Sequence, residues 1–504
     1  MSLARAHGAI INGVTGLIVT IEAYLSQGLP GLTLVGLADT AVGESRDRVR
    51  AAIQNSRLNW PGERRITVGL SPASVQKRGA MLDLGIALAL LAAHEQIPQR
   101  LDVAAIGELS LDGSINEVRG VLVAAMAARN YGISTLVLPQ SQVAEARLVP
   151  NLKVVGVSSL SDAVAFYKGE PFEVQQIEVP PVDPVEIPDL ADVRGQTDAR
   201  LALEIAAAGG HHLAMVGSPG VGKTMLSSRL PGLLPELSDE LAVEVTGIHS
   251  IAGYLNPAQG LIRTPPFLAP HHSATTTSLI GGGSRQVRVG MVTLAHGGVL
   301  CLDEAAEFNR TVLDALRVPL ESGEVVVSRA EFNTKLPARF QLVLATNPCP
   351  CGMYVDLGDQ CTCTVQVRRK YFARLSGPLL DRIDLRVALS KPTMADFESD
   401  VQVENTAQVK SRVLAARAQA RARFSNLPWK TNAELPGPVL RKDFPITNSA
   451  MRYLRQTCGG YSARGIDRVL RIAWTISDLR QGGPPEKSDL EQALFFRDAG
   501  ALWT

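Results

Sequence analysis

A chain of 504 residues exceeds what one hydrophobic core supports and implies roughly two to four domains. Apolar residues make up 46% and charged residues 20%, the balance of a soluble globular protein, which excludes a disordered or fibrous chain. The formal net charge is +1, so a nucleic acid would have to be held by local basic patches and not by a bulk field.

The amino-terminal stretch MSLARAHGAIINGVTGLIVTIEAYL lacks a basic segment followed by a long apolar run, so no secretory signal is expected. The nearest approach to a membrane span is GIALALLAA, well short of the ~18 apolar residues required. A cytoplasmic protein without membrane contact is therefore expected. Thiols stay reduced in that compartment, which disfavours disulfides.

Residues 1–170 alternate β-like runs (AIINGVTGLIVTIEAYL, GLTLVGL, RRITVGL, VAAIGEL, STLVLP, KVVGV) with helix-like stretches (AVGESRDRVRAAIQNS, LDLGIALALLAAHEQI, VRGVLVAAMAARNYG). That order predicts a mixed α/β domain. The proline-rich PFEVQQIEVPPVDPVEIPDL, 171–190, reads as an extended connector. A second α/β domain follows over 191–392, with strand-like HHLAMVG, GVLCLDE and FQLVLAT. Residues 393–504 are mostly helical by pattern, so the whole is an α/β multidomain chain. No fixed-period repeat is evident.

The second domain opens with GSPGVGKT, which satisfies G-x-x-x-x-G-K-[ST] between an apolar run and the helix-like TMLSSRLPGLL. Gly217, Ser218, Pro219, Gly220, Val221 and Gly222 form a loop whose backbone N–H groups can curl around phosphate oxygens. Lys223 would reach the β and γ phosphates of ATP, and Thr224 would give a hydroxyl to Mg2+. A glycine-rich turn can match by chance, but the flanking strand and helix argue against it. GVLCLDE supplies an apolar strand ending in acids, Asp303 to hold magnesium through water and Glu304 to polarise the attacking water. Such acids alone are often a solvated strand end; beside the phosphate loop they gain meaning.

Further features follow the phosphate loop along the chain. His271 and His272 read as ordinary turn residues within APHHSATTTSLIGGGSRQVRVG. PLESGEVVVSRAEFNTKLPARF, 319–340, reads as a β-hairpin with Arg329 and Lys335 near its tip. Asn347, ending an apolar strand, either orients water against the γ-phosphate or caps the turn before Pro348. In GPLLDRIDL, Arg382 makes either a local ion pair or a reach across a subunit boundary to the transferring phosphoryl group. KSRVLAARAQARARF carries Lys410, Arg412, Arg417, Arg421 and Arg423; a solvated helix face is favoured over a track for a phosphate backbone.

CPCGMYVDLGDQCTC places Cys349, Cys351, Cys361 and Cys363 in one loop. Zinc accepts four thiolates tetrahedrally, and a structural Zn2+ is the favoured reading. Free thiols or a redox pair remain the alternatives. Cys301 and Cys458 read as buried core thiols.

In this order GSPGVGKT, GVLCLDE, ATNP, LLDRIDL and YSARGIDRVLRIAWTISDL resemble the AAA+ ATPases of the magnesium-chelatase and MCM-helicase branch, and most nearly the ComM/YifB family, over almost the full chain. The resemblance implies Walker A at Lys223 and Thr224, Walker B at Asp303 and Glu304, and sensor 1 at Asn347. It further implies an arginine finger at Arg382, a sensor 2 arginine at Arg464 in the helical lid, and a homo-hexamer. The hairpin is similar to the pre-sensor 1 hairpin of that branch and 269–290 to its helix-2 insert, so Arg329, Lys335, Arg285 and Arg288 become candidate DNA contacts. The implied activity is an ATP-driven DNA helicase that promotes branch migration and DNA integration in natural transformation. The second reading is a chaperone-like remodeller of a protein partner, as in magnesium chelatase.

KRGAMLDLGIALALLAA and AAIGELSLDGSINEVRGVLVAAMAARNYGISTLVLP resemble the Lon-protease-like (ribosomal-protein-S5-like) domain. The resemblance puts Met81 at the serine position and Leu122 at the lysine position. Neither a thioether nor an alkyl chain can do that chemistry, so an inactive protease fold is expected and an active protease is the third, disfavoured reading. Lys77 and Arg78 are further candidates for DNA contact.

Overall fold

The computed structural model describes residues 2–36, 40–77, 79–173, 187–282, 288–328, 333–354, 360–394, 396 and 403–498. The chain divides into two compact units: 1–184 with 242–262, and 185–241 with 263–504.

In the first unit the run expected as one β-like stretch forms two strands, β1 (Ser2–Asn12) and β2 (Thr15–Ser26). Asn12 pairs with Thr15 around a tight turn in which Gly13 takes φ 64°, a left-handed conformation that glycine adopts without steric cost. Next come β3 (Gly31–Val35), β4 (Arg65–Ser71), β5 (Val103–Ala105), the short β6 (Glu108–Leu109) and β7 (Ile115–Asn116), then β8 (Thr135–Pro139) and β9 (Lys153–Val157). Seven of them make one mixed sheet in the order β3-β4-β2-β1-β5-β8-β9.

Alternation along its strands serves two faces. Ala4, Ala6 and Ile10 of β1 with Val19, Ile21, Ala23 and Leu25 of β2 join the core that contains helix Asp83–Ala93. Ala9 and Ile18 join the core under helix Val121–Tyr131. The run DLGIALALLAA is apolar all round and is buried at ten of its residues, as such a helix must be. Lys77 is corrected as a DNA contact: it is fully buried and donates to the Pro72 carbonyl. Arg78 lies outside the described residues.

The helix Asp239–Ala252 leaves the second unit and runs into the first. Its Ser250 hydroxyl donates to Glu145 at 2.5 Å, and the same carboxylate accepts from the Leu122 backbone N–H at 2.9 Å. Gly247 lies against Val123, where a Cβ would come within 3.0 Å of the valine side chain. The excursion is pinned at its base, where Leu237 N–H donates to the Arg263 carbonyl at 2.8 Å.

The second unit is built on β10 (Leu213–Gly217), β11 (Phe267–Leu268), the small pair β12 (Gly281–Gly282) and β13 (Arg288–Val289), β14 (Val299–Leu302), the hairpin β15 (Glu324–Ser328) and β16 (Asn333–Pro337), β17 (Gln341–Thr346) and β18 (Leu385–Leu389). Its main sheet has the order β11-β14-β17-β10-β18, parallel throughout. Its strands are apolar runs, as burial on both faces requires. Helices Thr406–Arg423, Gly437–Asp443, Asn448–Thr457, Ala463–Leu479 and Lys487–Asp498 share one apolar core with this sheet.

Candidate nucleotide site and its surroundings

A parallel sheet delivers the residues that follow its strands to one edge, where ligands bind. Here β10, β14 and β17 end at the phosphate loop, at Asp303 with Glu304, and at Asn347. Gly220 and Gly222 take φ 80° and 98°, which no side-chain-bearing residue would hold cheaply. The helix expected after the loop is two short ones, Lys223–Ser227 and Leu230–Leu233, the second beginning around Pro231; a proline interrupts a helix because it lacks the N–H.

Lys223 is buried, and its Nζ donates to the carbonyls of Gly217 (2.7 Å) and Ser218 (2.9 Å) and to Asn347 Oδ1 (3.0 Å). The Thr224 hydroxyl donates to Asp303 Oδ2 at 2.5 Å. Among the described residues the buried Ser218 hydroxyl has no hydrogen-bond partner, an orphan of the kind that a ligand satisfies. A hydroxyl against a carboxylate is a hard oxygen pair suited to Mg2+, so the residues present fit the ATP and magnesium that the sequence implies.

Glu304 adopts φ 51° and ψ 41°, and its N–H donates to Asp303 Oδ1 at 2.9 Å. Its carboxylate meets His272 Nδ1 at 3.0 Å. Sequence reasoning left His272 among the turn residues, and thirty-odd positions of separation gave no signal for this pair. His272 also stacks on His271, ring centroids 4.0 Å apart.

Arg382 makes the local ion pair: Nη2 donates to Glu321 and Nη1 to the Pro378 carbonyl at 2.5 Å. Its side chain is only 14% exposed. Arg464 stands exposed in the first turn of helix Ala463–Leu479, which Ser462 caps. Arg288 is exposed in β13; Arg285 and Arg329 lie outside the described residues. Lys335 is corrected in position: its partner is Val326, midway along the hairpin and not at its tip, and its ammonium faces Glu324 at 3.6 Å. The favoured reading of the arginine-rich helix is corrected too. Arg412 pairs with Glu204 (2.7 Å) and Glu404 (2.5 Å), Arg417 donates to the Ala207 carbonyl, and Arg423 pairs with Asp478. These arginines anchor the helix to its own unit.

The four loop cysteines converge, with all Sγ atoms within 4.8 Å of one another. Cys349 Sγ lies 3.3 Å from Cys351 and 3.8 Å from Cys361, and Cys351 lies 3.6 Å from Cys361. Tetrahedral zinc with ~2.3 Å bonds sets its sulfurs about 3.8 Å apart, so the cluster fits a metal ion. The Met353 N–H favours the Cys351 thiolate and holds its pKa down at about 6, while burial pushes the Cys349 thiol up. Cys301 and Cys458 are buried as expected.

Comparisons with family models and with known proteins extend this geometry. The family model described as magnesium chelatase, subunit ChlI matches residues 189–397, its companion for subunit ChlI of Mg-chelatase matches 21–142, and that for the ChlI C-terminal region matches 403–497. The chain is 41% identical to YifB of Escherichia coli over 506 residues, 99% of this chain and 97% of that one. It is 39% identical to competence protein ComM of Haemophilus influenzae over 508 residues, 99% and 98% of the two. A shorter match, 28% identical over 166 residues and 30% of this chain, is to 20% of the Lon protease of Geobacter metallireducens.

Proposed function

This chain belongs to the YifB and ComM family of magnesium-chelatase-like AAA+ proteins, and on that premise we propose that it is an ATP-driven DNA motor. In this reading it works in the cytoplasm as a hexameric ring that promotes branch migration and integration of DNA during natural transformation. The observation that carries it is the convergence of Lys223 with Asn347 and of Thr224 with Asp303 at one sheet edge. The competence protein among its relatives supports the DNA substrate. Among the described residues no helix is long and apolar enough to cross a membrane.

Lys223 exchanges its loop carbonyls for the β and γ phosphates of ATP, and the glycine-rich backbone holds the rest of the triphosphate. Thr224 and Asp303 would hold Mg2+, which when bound neutralises charge on the phosphates. Glu304 takes the proton of the attacking water and Asn347 orients that water. Arg382 serves the site of a neighbouring subunit, and Arg464 closes the lid on its own. Arg288 and Lys335, with Arg285 and Arg329, contact the DNA backbone. Zinc is the ion assigned to Cys349, Cys351, Cys361 and Cys363.

The test is ATP hydrolysis with and without single-stranded and forked DNA, followed by migration of a branched junction. DNA should stimulate turnover, and Lys223→Ala should abolish both activities. Glu304→Gln should bind nucleotide normally but turn over about 10²–10⁴-fold more slowly. Hydrolysis indifferent to DNA, yet raised by a protein partner, would replace this reading with the remodelling one that the chelatase match favours.

A further inference from the structure

The cysteine loop touches the nucleotide site. Cys349 follows Asn347 by two positions, and Asn347 Oδ1 is a partner of the Lys223 ammonium at 3.0 Å. Beyond Cys351 the chain turns back, with Gly352 N–H donating to the Cys349 carbonyl at 3.0 Å. Gly352, at φ 77°, then lies flat against Pro219 of the phosphate loop. A Cβ at 352 would stand 2.5 Å from Pro219 Cδ and 2.7 Å from Cγ, closer than real carbon atoms approach. The backbone between two thiol ligands is thus in direct contact with the loop that cradles phosphate.

From this juxtaposition we infer that the metal-bound cysteine cluster is the seat of the phosphate loop, and that metal occupancy controls nucleotide affinity. The inference rests on the zinc and ATP assignments made above and adds a dependence between them. Cys349 is buried and cannot leave its place without disturbing the end of β17, whereas Cys351, Cys361 and Cys363 are only half-buried. An ion binding all four fixes the outer three to the buried one. It thereby fixes the Cys349–Gly352 turn on which Pro219 rests, and through Asn347 it restrains the ammonium of Lys223. Without the ion, four thiols exert only weak mutual contacts, and the turn is free to retreat from Pro219. A phosphate loop binds through several N–H groups aimed at one anion, so a small retreat weakens all of them together.

The experiment uses the full chain. Metal content is measured first, with release of the ion by a mercurial thiol reagent followed by a zinc-sensitive dye; about one zinc per chain is expected. The affinity of a fluorescent ADP analogue is then measured before stripping, after stripping, and after zinc is restored. Stripping should weaken binding about tenfold and zinc should recover it, the scale at which outer contacts of metal sites act. Gly352→Ala should keep its zinc and still lose about tenfold in affinity, while Gly377→Ala, whose added Cβ would meet open space among the described residues, should lose neither. Pro219→Ala added to Gly352→Ala should regain part of the loss, because the clashing ring is gone.

Unchanged affinity in the stripped chain, or in zinc-loaded Gly352→Ala, overturns the dependence alone. A chain purified without metal overturns the zinc assignment and the dependence with it. Failure of the untreated, zinc-loaded chain to bind the analogue overturns the ATP-site reading as well. Should Gly352→Ala not fold, the stripping and restoration of the wild-type chain decide the matter.

Discussion

Glu304 is held by three constraints: a left-handed backbone, an N–H given to Asp303, and a carboxylate bound to His272. A non-glycine residue in that backbone region costs of order 1–3 kcal/mol and persists only where its surroundings fix it. An imidazole nitrogen 3.0 Å from one carboxylate oxygen takes a place that water would otherwise hold, so the His272 contact competes with the role proposed for Glu304. His272 lies near the start of the 269–290 segment that resembles a helix-2 insert, which makes it the residue through which that insert would release or restrain the base. His272→Ala is therefore predicted to lower the ratio of DNA-stimulated to basal ATP turnover by about 3–10-fold. Nucleotide affinity should stay within about twofold, because the recorded partners of His272 are Glu304 and His271 and not the phosphate loop. Steady-state hydrolysis with and without single-stranded DNA, beside an equilibrium titration, checks both halves.

At the scale of elements, helix Ala463–Leu479 does more than present Arg464. One turn on, Arg468 reaches Asp384 at 3.3 Å. His211, ahead of β10, joins Asp384 at 3.1 Å to Thr475 of the same helix at 2.8 Å. Burial opposes the charge on Asp384, but the His211 hydrogen bond and the Arg468 charge outweigh it and hold the carboxyl below its usual range. Asp384 lies two residues from Arg382, so the lid helix braces the segment carrying the proposed finger. Asp384→Ala leaves the buried Arg468 guanidinium with the more distant Asp381 at 3.9 Å in place of its nearer partner and should cost about 3–5 kcal/mol in urea unfolding. Replacing both Asp384 and Arg468 by leucine should restore much of that stability, yet leave ATP turnover depressed, because Arg382 loses its brace. Recovery of turnover together with stability would show the network to be structural only. None of this was legible in the sequence. The phosphate loop and the strand-end acids were legible because local backbone geometry admits few residue types there. By contrast Arg412 finds Glu204, and Arg423 finds Asp478, across 208 and 55 positions. Periodicity along one helix reports a polar face but not which partner covers it, so these arginines read as solvated. The excursion of 242–262 into the first unit was invisible for the same reason.

For the whole molecule, the direction of the strands decides where Arg382 can act. β10 and β18 run parallel, with Leu213 opposite Leu385 and Gly217 opposite Leu389. The phosphate loop follows the end of β10, whereas Arg382 precedes the start of β18. Four strand steps, about 13 Å, therefore separate the two sheet edges, and Arg382 is moreover tied to Glu321 and the Pro378 carbonyl. It cannot reach the triphosphate bound by its own chain. If it stabilises a transferring phosphoryl group, that group belongs to another copy, and the Glu321 pair must open when two copies meet. Arg382→Ala should then leave nucleotide binding intact and lower turnover about 10³-fold or more. The decisive measurement mixes two inactive proteins. Lys223→Ala has a dead cradle and a sound arginine, and Arg382→Ala has the reverse. In rings assembled at random from equal amounts, about a quarter of the seams join a sound cradle to a sound arginine. ATP turnover should accordingly reappear on mixing, approaching a quarter of the wild-type rate where seams act independently and less where they act in concert. Two variants that remain inactive together, while sedimentation shows them in common rings, would place the reaction within a single chain and remove Arg382 from it.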